Sequence, residues 1–187
     1  YRRSPDWSAF GMRPPIRLGE FTPPQPHFIT LPKTHLLGTT QSYSCTLEQI
    51  SAFRNDMRAQ FWRHFLSHAP TIPPVLYGLH EPRANAEKDD EQEVLYTTAL
   101  PPEMVNGSIP DAQPVHLEGG DYVQFNYEGP ADGLQEFVLT IYGTCMPMLN
   151  LTRRRGQDIE RFYPAHREKL AEPPKELRCE YLIPVRR

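Results

Sequence analysis

The chain has 187 residues, a net charge of −3 and 39% apolar residues, so it is long enough to bury the core of one domain or of two small ones. No apolar run approaches the roughly 18 residues that a membrane-spanning helix needs, and the acidic balance argues against a dedicated nucleic-acid-binding domain. The three cysteines are irregularly spaced and include no C-x-x-C pair, which predicts reduced, buried thiols in a cytoplasmic protein.

Prolines interrupt the first part of the chain, which shows no amphipathic period. We therefore predict that residues 1–27 form an extended linker and that residues 28–187 form the folded domain. The chain begins with Tyr1 and has no initiator methionine, so we expect it to be a fragment of a longer protein.

The first half of the domain predicts the order strand, helix, strand, strand. A β-rich stretch over residues 28–44 precedes a helix between Thr46 and Pro70, and two strands over residues 75–79 and 93–100 follow. Apolar side chains recur every three or four residues along the helix, which is the period of one helix face. They are Leu47, Ile50, Phe53, Met57, Phe61 and Phe65.

The second half repeats this order. Strands are predicted over residues 115–117 and 122–127, a helix over residues 134–145, and strands over residues 159–163 and 177–185.

The equal order and near-equal spacing of elements indicate a duplication, with pseudo-repeats over residues 28–100 and 111–187. The predicted fold class is α+β, with two strand–helix–strand–strand units that share a mainly antiparallel sheet. Two such units leave both helices on one face of the sheet, where they frame a groove suited to a ligand.

Several segments resemble Rob-type transcription activators of the AraC family. Residues 1–11 are similar to the end of a helix-turn-helix DNA-binding domain in that family. The strongest similarity lies in TTQSYSC at 39–45, TIPPVLYG at 71–78, YGTCMPMLNLTRR at 142–154 and GQDIER at 156–161. The resemblance implies a GyrI-like effector-binding domain, which agrees with the duplicated order, and an N-terminal DNA-binding domain outside this chain.

The resemblance also implies a function. We expect a cytoplasmic ligand-sensing domain of a stress and multidrug-resistance activator, which binds amphipathic molecules such as bile salts or fatty acids. DNA would be contacted only through the N-terminal domain, and RNA polymerase only through the full-length protein. The sequence has no motif for a cofactor, a metal or a catalytic nucleophile, so we expect no cofactor, no metal site, no membrane contact and no enzymatic activity.

Within this fold family, a glutamate on the strand after the second helix often lies at the bottom of the ligand pocket. The matching segment is DIERFYP at 158–164, which places Glu160 at that position. A carboxylate among aromatic rings favours a cationic or hydrogen-bonding ligand. It would repel an anionic effector unless Glu160 were protonated or the ligand's charge pointed to Arg161 or to solvent.

Eight aromatic side chains are candidates for lining the pocket beside Glu160, because they lie on the two helix faces and on the sheet between them. They are Phe61, Trp62, Phe65, Tyr77, Tyr96, Phe137, Tyr142 and Tyr181. Large rings also dominate ordinary protein cores, so we expect about half of them to contact a ligand.

Two alternative functions remain open at this point. The domain could be a hydrolase that uses Glu160 as its general base, or a protein-binding module by analogy with the gyrase-inhibiting relatives of the fold. Turnover that disappears in a Glu160→Gln variant favours the first, and an exposed protein-binding patch favours the second.

Overall fold

A computed structural model describes residues 23–46, 50–67, 71–82, 91–105, 109–165 and 174–186. Residues 1–22 of the predicted linker and the predicted helix stop at Pro70 lie outside the described residues. Among the helices that the structure describes, none combines the length and the apolar character needed to cross a membrane.

The first half has the predicted order of elements, except that the β-rich stretch before the helix forms two strands. It comprises strands β1 (His27–Leu31) and β2 (Thr34–Thr46), helix α1 (Ile50–Leu66), and strands β3 (Leu76–Pro82) and β4 (Glu91–Leu100).

The second half has the same order with one small addition. It comprises strands β5 (Gln113–Leu117) and β6 (Gly120–Pro130), helix α2 (Leu134–Thr140), strand β7 (Thr152–Arg153), and strands β8 (Asp158–Phe162) and β9 (Glu176–Arg186). Strand β7, which pairs with β9, was not predicted.

Helix α2 does not end where the sequence suggests. It continues as a π-helical turn, Ile141–Cys145, and then as a last helical turn, Met146–Met148. Pro147, which follows the predicted end of the helix at residue 145, therefore lies inside its last turn. A proline is tolerated there because it stands near the start of a new helical turn.

The strands form a mainly antiparallel sheet in the order β1-β6-β9-β8-β3-β4-β2-β5. The order β6-β9-β8 in one half corresponds to β2-β4-β3 in the other, and the halves meet where β3 pairs with β8. The predicted duplication is therefore visible in the sheet, with β3 and β8 at its centre.

The sheet also closes on itself. β1 pairs with β6 and β2 pairs with β5 in one continuous register, in which Leu31 lies opposite Gly120 and Thr34 lies opposite Leu117. Only two residues separate β1 from β2, and only two separate β5 from β6. The two ends of the strand order therefore lie side by side. Each half contributes two consecutive strands, β1–β2 or β5–β6, which form an arm that pairs with the arm of the other half.

The two faces of the sheet bury different cores. Cross-strand partners point to the same face, and neighbours along a strand point to opposite faces. One face packs against both helices through a large apolar cluster that includes Phe65, Phe125 and Val138. The other face lies inside the closed sheet and buries a second cluster around Leu79, Ile159 and Leu182.

Cys145 and Cys179 are buried free thiols. Burial raises the pKa of Cys145 to about 11 and that of Cys179 well above its ordinary value. Both side chains therefore stay protonated and unreactive at neutral pH, as their apolar sequence context predicted.

Candidate functional site

The candidate site is built around Glu160, in the middle of the central strand β8. Its side chain is 0% exposed and points to the face of the sheet that carries the helices. Gly78 of β3 and Tyr181 of β9 lie directly opposite it on the neighbouring strands. A carboxylate so deeply buried is costly unless other groups satisfy its charge and its oxygen atoms.

Three side chains satisfy the Glu160 carboxylate. Arg58 of α1 donates to Oε2 from Nε at 2.8 Å and places Nη2 at 2.7 Å from the same atom. His80 of β3 places Nε2 at 3.0 Å from Oε2, and the hydroxyl of Tyr96 donates to Oε1 at 2.9 Å. All three partners are themselves buried.

These contacts fix the charges of the cluster. Burial alone would raise the pKa of Glu160, but Arg58 and then His80 outweigh it and hold the pKa at about 2. Burial lowers the pKa of His80 more than Glu160 raises it, so the imidazole is neutral at pH 7. His80 then donates from Nε2 to Glu160 and accepts at Nδ1 from the hydroxyl of Tyr43, 3.2 Å away.

The helical period of α1 places its cationic side chains in one row with residues that pack against the core. Arg54, Arg58, Trp62 and Leu66 follow one another at intervals of four residues, so they form one row on the helix surface. Trp62 and Leu66 pack against the core, and the same row therefore turns Arg58 toward the sheet. Arg54 lies one turn earlier, with its guanidinium 6.0 Å from the centre of the Tyr43 ring.

Gln135 of α2 completes the polar cluster. Its side chain is 0% exposed, and its Oε1 accepts a hydrogen bond from Nη1 of Arg58 at 2.8 Å. A guanidinium can only donate, so the amide oxygen must face Arg58 and Nε2 must face away from it. Among the described residues, Nε2 of Gln135 has no hydrogen-bond partner. No side-chain cap is formed at Gly133, at the start of α2.

Aromatic rings of α1 cover this cluster. The indole Nε1 of Trp62 donates to the hydroxyl of Tyr96 at 3.2 Å, and the ring of Phe61 lies 5.8 Å from that of Tyr96. Phe65 is buried and packs edge-on against Trp62, with the ring centres 5.8 Å apart. Phe61 and Trp62 are only half-buried, so these two rings reach solvent while they contact Tyr96.

A glycine makes room for the cluster on the strand next to Glu160. A Cβ atom at Gly78 would lie 2.3 Å from the hydroxyl oxygen of Tyr96 and 2.6 Å from Oε1 of Glu160. Any larger residue at this position would therefore displace the hydrogen bond between Tyr96 and Glu160.

Two of the predicted aromatic residues belong to a separate polar cluster. Tyr142 and Tyr181 both donate to Oδ2 of Asp158, at 2.7 Å in the case of Tyr181. Arg153 pairs with Oδ1 of the same carboxylate, with its Nη2 at 2.9 Å. This second cluster ties the end of α2 to β8 and β9, and its charges balance internally.

The other two predicted residues lie away from Glu160. Phe137 is half-buried and packs against Tyr127, with the ring centres 5.0 Å apart. Tyr77 packs beside Leu79 and Ile159 on the opposite face of the sheet. The structure thus places Tyr96, Tyr181 and Trp62 beside the Glu160 cluster. Phe61 and Phe65 pack on Tyr96 and Trp62, whereas Tyr77 and Phe137 are not brought there.

The sequence prediction missed Arg58, His80 and Gln135. Arg and Gln are mostly found at the surface and His is intermediate, and nothing in a short window distinguishes these three from solvated side chains. One signal was present, because Arg58 stands in register with the apolar residues Trp62 and Leu66. Among the described residues, no group of three His, Cys, Asp or Glu side chains could hold a metal ion.

Comparison with protein families identifies the family to which this chain belongs. Residues 24–186 match the family described as the GyrI-like small molecule binding domain. The chain belongs to this family. The GyrI-like fold expected from the resemblance is thereby confirmed, as are the antiparallel sheet and the two helices.

Two curated relatives match this GyrI-like domain along its whole length. It is 66% identical to the transcriptional regulator Rob of Salmonella typhimurium and 65% identical to the right origin-binding protein of Escherichia coli. All 187 residues of the chain are covered in both comparisons, and they span 65% of the length of each relative.

Solved structures share the fold at low sequence identity. SAV2435 bound to tetraphenylphosphonium gives a TM-score of 0.56 at 15% identity, covering 87% of this chain and 94% of that one. An integron cassette protein of Vibrio cholerae gives a TM-score of 0.52 at 16% identity, with 86% and 95% covered. These likenesses support the fold assignment alone.

Proposed function

We propose that this GyrI-like domain is the ligand-sensing part of a transcription activator and binds amphipathic small molecules, such as bile salts or fatty acids, between its helices and the sheet. The observation that carries the proposal is the buried polar cluster around Glu160 beneath the half-buried rings of Phe61 and Trp62. Sites for small molecules combine such apolar walls with a few converging polar groups.

The comparisons support this proposal in three ways. The family is described as binding small molecules, and a relative with 66% identity is a transcriptional regulator. SAV2435, which has the same fold, binds tetraphenylphosphonium, an aromatic cation. Because tetraphenylphosphonium combines apolar rings with a charge, its binding to SAV2435 is the precedent for proposing an amphipathic ligand in this fold.

We infer that the domain acts within a longer, cytoplasmic protein of stress response and antibiotic resistance. In this scheme, another part of that protein binds DNA and the full-length protein contacts RNA polymerase. Ligand binding must then favour one arrangement of the protein over another, since a ligand with equal affinity for both would shift nothing.

A hydrolase that uses Glu160 as its general base is the weaker hypothesis. An efficient general base has a pKa near the working pH, whereas Arg58 and His80 keep the pKa of Glu160 at about 2 against the effect of burial. The carboxylate is also fully occupied by hydrogen-bond donors. We therefore propose a binding domain without enzymatic activity.

Calorimetric titration with cholate, decanoate and tetraphenylphosphonium tests the proposal. We expect saturable, one-site binding of at least one of these compounds with a micromolar Kd. Glu160→Gln should change that Kd by about ten-fold or more, because it removes a charged partner from the buried cluster. Glu136→Gln on the exposed side of α2 is the matched control and should leave the Kd unchanged.

Failure to bind any of the three compounds would refute the proposed function and favour the protein-binding alternative. Substrate turnover that depends on Glu160 would instead favour the hydrolase.

A further inference from the structure

The Glu160 carboxylate has its counter-ion within the chain. Two nitrogen atoms of Arg58 lie within 2.8 Å of Oε2, and the hydroxyl of Tyr96 occupies Oε1. An organic cation that approached Glu160 would have to displace a guanidinium held at close range in a buried site. Such a pair is costly to break, because it leaves one buried charge without a partner.

Two buried donor atoms near this ion pair lack acceptors among the described residues. Nε2 of Gln135 is buried and has no hydrogen-bond partner among the described residues, although the other end of its amide is fixed by Arg58. Nε of Arg54, one helical turn before Arg58, is also buried without a partner among those residues. Buried donors of this kind favour an incoming group that carries acceptor oxygen atoms.

The cluster of Arg58, Glu160 and their polar partners is formally neutral, and Arg54, one helical turn before Arg58, adds a positive charge beside it. Helix α1 contributes Arg54 and Arg58, β8 contributes Glu160, and the buried His80 of β3 is neutral at pH 7. The other carboxylate on this face of β8, Asp158, is paired with Arg153, Tyr142 and Tyr181. Helix α1 thus supplies two guanidinium groups to this region, against the single Glu160 carboxylate that Arg58 already neutralises.

We propose that Arg58 determines the charge of the ligand: as the internal counter-ion of Glu160 it excludes organic cations, and with Gln135 and Arg54 it receives an anionic head group. This inference rests on the proposed function and adds a specificity-determining residue to it. It also removes the expected repulsion between Glu160 and an anionic effector, because the carboxylate that would repel the anion is already paired.

The inference is tested by measuring the affinity of the whole chain for decanoate and for tetraphenylphosphonium in Arg58 variants. Wild-type chain should bind decanoate more tightly than the cation. Arg58→Met removes the counter-ion and should weaken decanoate binding about ten-fold or more while strengthening tetraphenylphosphonium binding by a similar factor. Arg63→Met, an exposed position on the same helix, is the matched control and should leave both affinities unchanged.

Two further variants keep the test decisive if Arg58→Met is poorly folded, which circular dichroism would reveal. The double variant Arg58→Gln with Glu160→Gln removes both charges and should abolish most of the discrimination between anion and cation. Gln135→Leu removes the unpartnered donor and should weaken decanoate about ten-fold while leaving the cation unaffected.

The outcomes separate this inference from the proposed function. If wild type binds these probes but its preference is unchanged in all three variants, the domain is a sensor and Arg58 does not set the charge. If wild type binds tetraphenylphosphonium more tightly than decanoate, the domain is again a sensor and the inference about Arg58 is wrong. If wild type binds neither probe nor cholate, both proposals fail together.

Discussion

The Arg58–Glu160 ion pair is among the most deeply buried charged contacts that the structure describes. Arg58 is 5% exposed and Glu160 is 0% exposed. Taking two charges out of water costs several kcal/mol per ion, and replacing such a pair by apolar residues is often neutral or stabilising. Stability alone therefore does not explain this pair, whereas the ligand recognition proposed above would.

Removing only one member of the pair should nevertheless lower the free energy of unfolding strongly. We expect Arg58→Met to lower the free energy of unfolding by about 3–5 kcal/mol, because it strands the Glu160 carboxylate in the core. Adding Glu160→Met in the double variant should recover a large part of this loss. Urea denaturation of the four members of the double-mutant cycle measures both effects.

Arg63→Met is the control for this cycle, and its effect should stay within about 0.5 kcal/mol because the residue is exposed. A double variant that is as unstable as the sum of its two single variants would show that the two side chains do not interact.

At the scale of single residues, the sequence singled out acidic and aromatic groups of the candidate site but not their polar partners, and ligand binding by any of them stays a prediction. Glu160 was located by resemblance, and Trp62 and Tyr96 by their place in amphipathic elements. His80 could not be found in this way, because its role depends on the ladder between β3 and β8, which brings residues distant in sequence side by side.

The scale of elements shows the same contrast between local pattern and long-range pairing. Periodicity located both helices and each strand except the short β7, because a buried face imposes its period on the sequence. It did not reveal that β1 pairs with β6 and β2 with β5. Strand pairing joins segments far apart along the chain, and no local period encodes the partner.

The bend between β5 and β6 depends on a glycine. Gly119 has φ +79°, and a Cβ atom there would lie 2.6 Å from the carbonyl oxygen of Leu31 on the facing arm. We expect Gly119→Ala to lower the free energy of unfolding by about 1–3 kcal/mol through backbone strain and this clash. Thermal or urea unfolding measures the loss.

Gly129→Ala in β6 is the comparison for this bend, since its nearest neighbour is the flexible hydroxyl end of Tyr127 at 3.1 Å. Equal losses in the two variants would mean that the bend is not specifically strained.

For the whole molecule, the buried cluster couples folding to pH. Burial opposes the charge of Glu160, yet Arg58 and His80 lower its pKa from 4.5 to about 2 on folding. A lowered carboxylate pKa adds stability that is fully present above the unfolded value and is lost as the pH falls toward the folded value. His80, whose pKa burial lowers from 6.5, acts in the same direction at higher pH.

We therefore expect the free energy of unfolding to decline as the pH falls below about 6.5, and to decline further between about 4.5 and 2. The Glu160 contribution is about 3 kcal/mol. Glu160→Gln should flatten the lower part of this dependence, whereas Glu136→Gln should not. A wild-type profile that stays level between pH 4.5 and 2 would contradict the assigned charges.

The closed sheet has a consequence for the way this chain is made. A ribosome releases the arm formed by β1 and β2 well before residues 113–124, which supply its partner. Until then the nascent arm presents unsatisfied backbone donors and acceptors, and such an edge can join another chain. Growing chains are therefore most prone to aggregate while they await the second half, and factors that shield nascent chains would act within that interval.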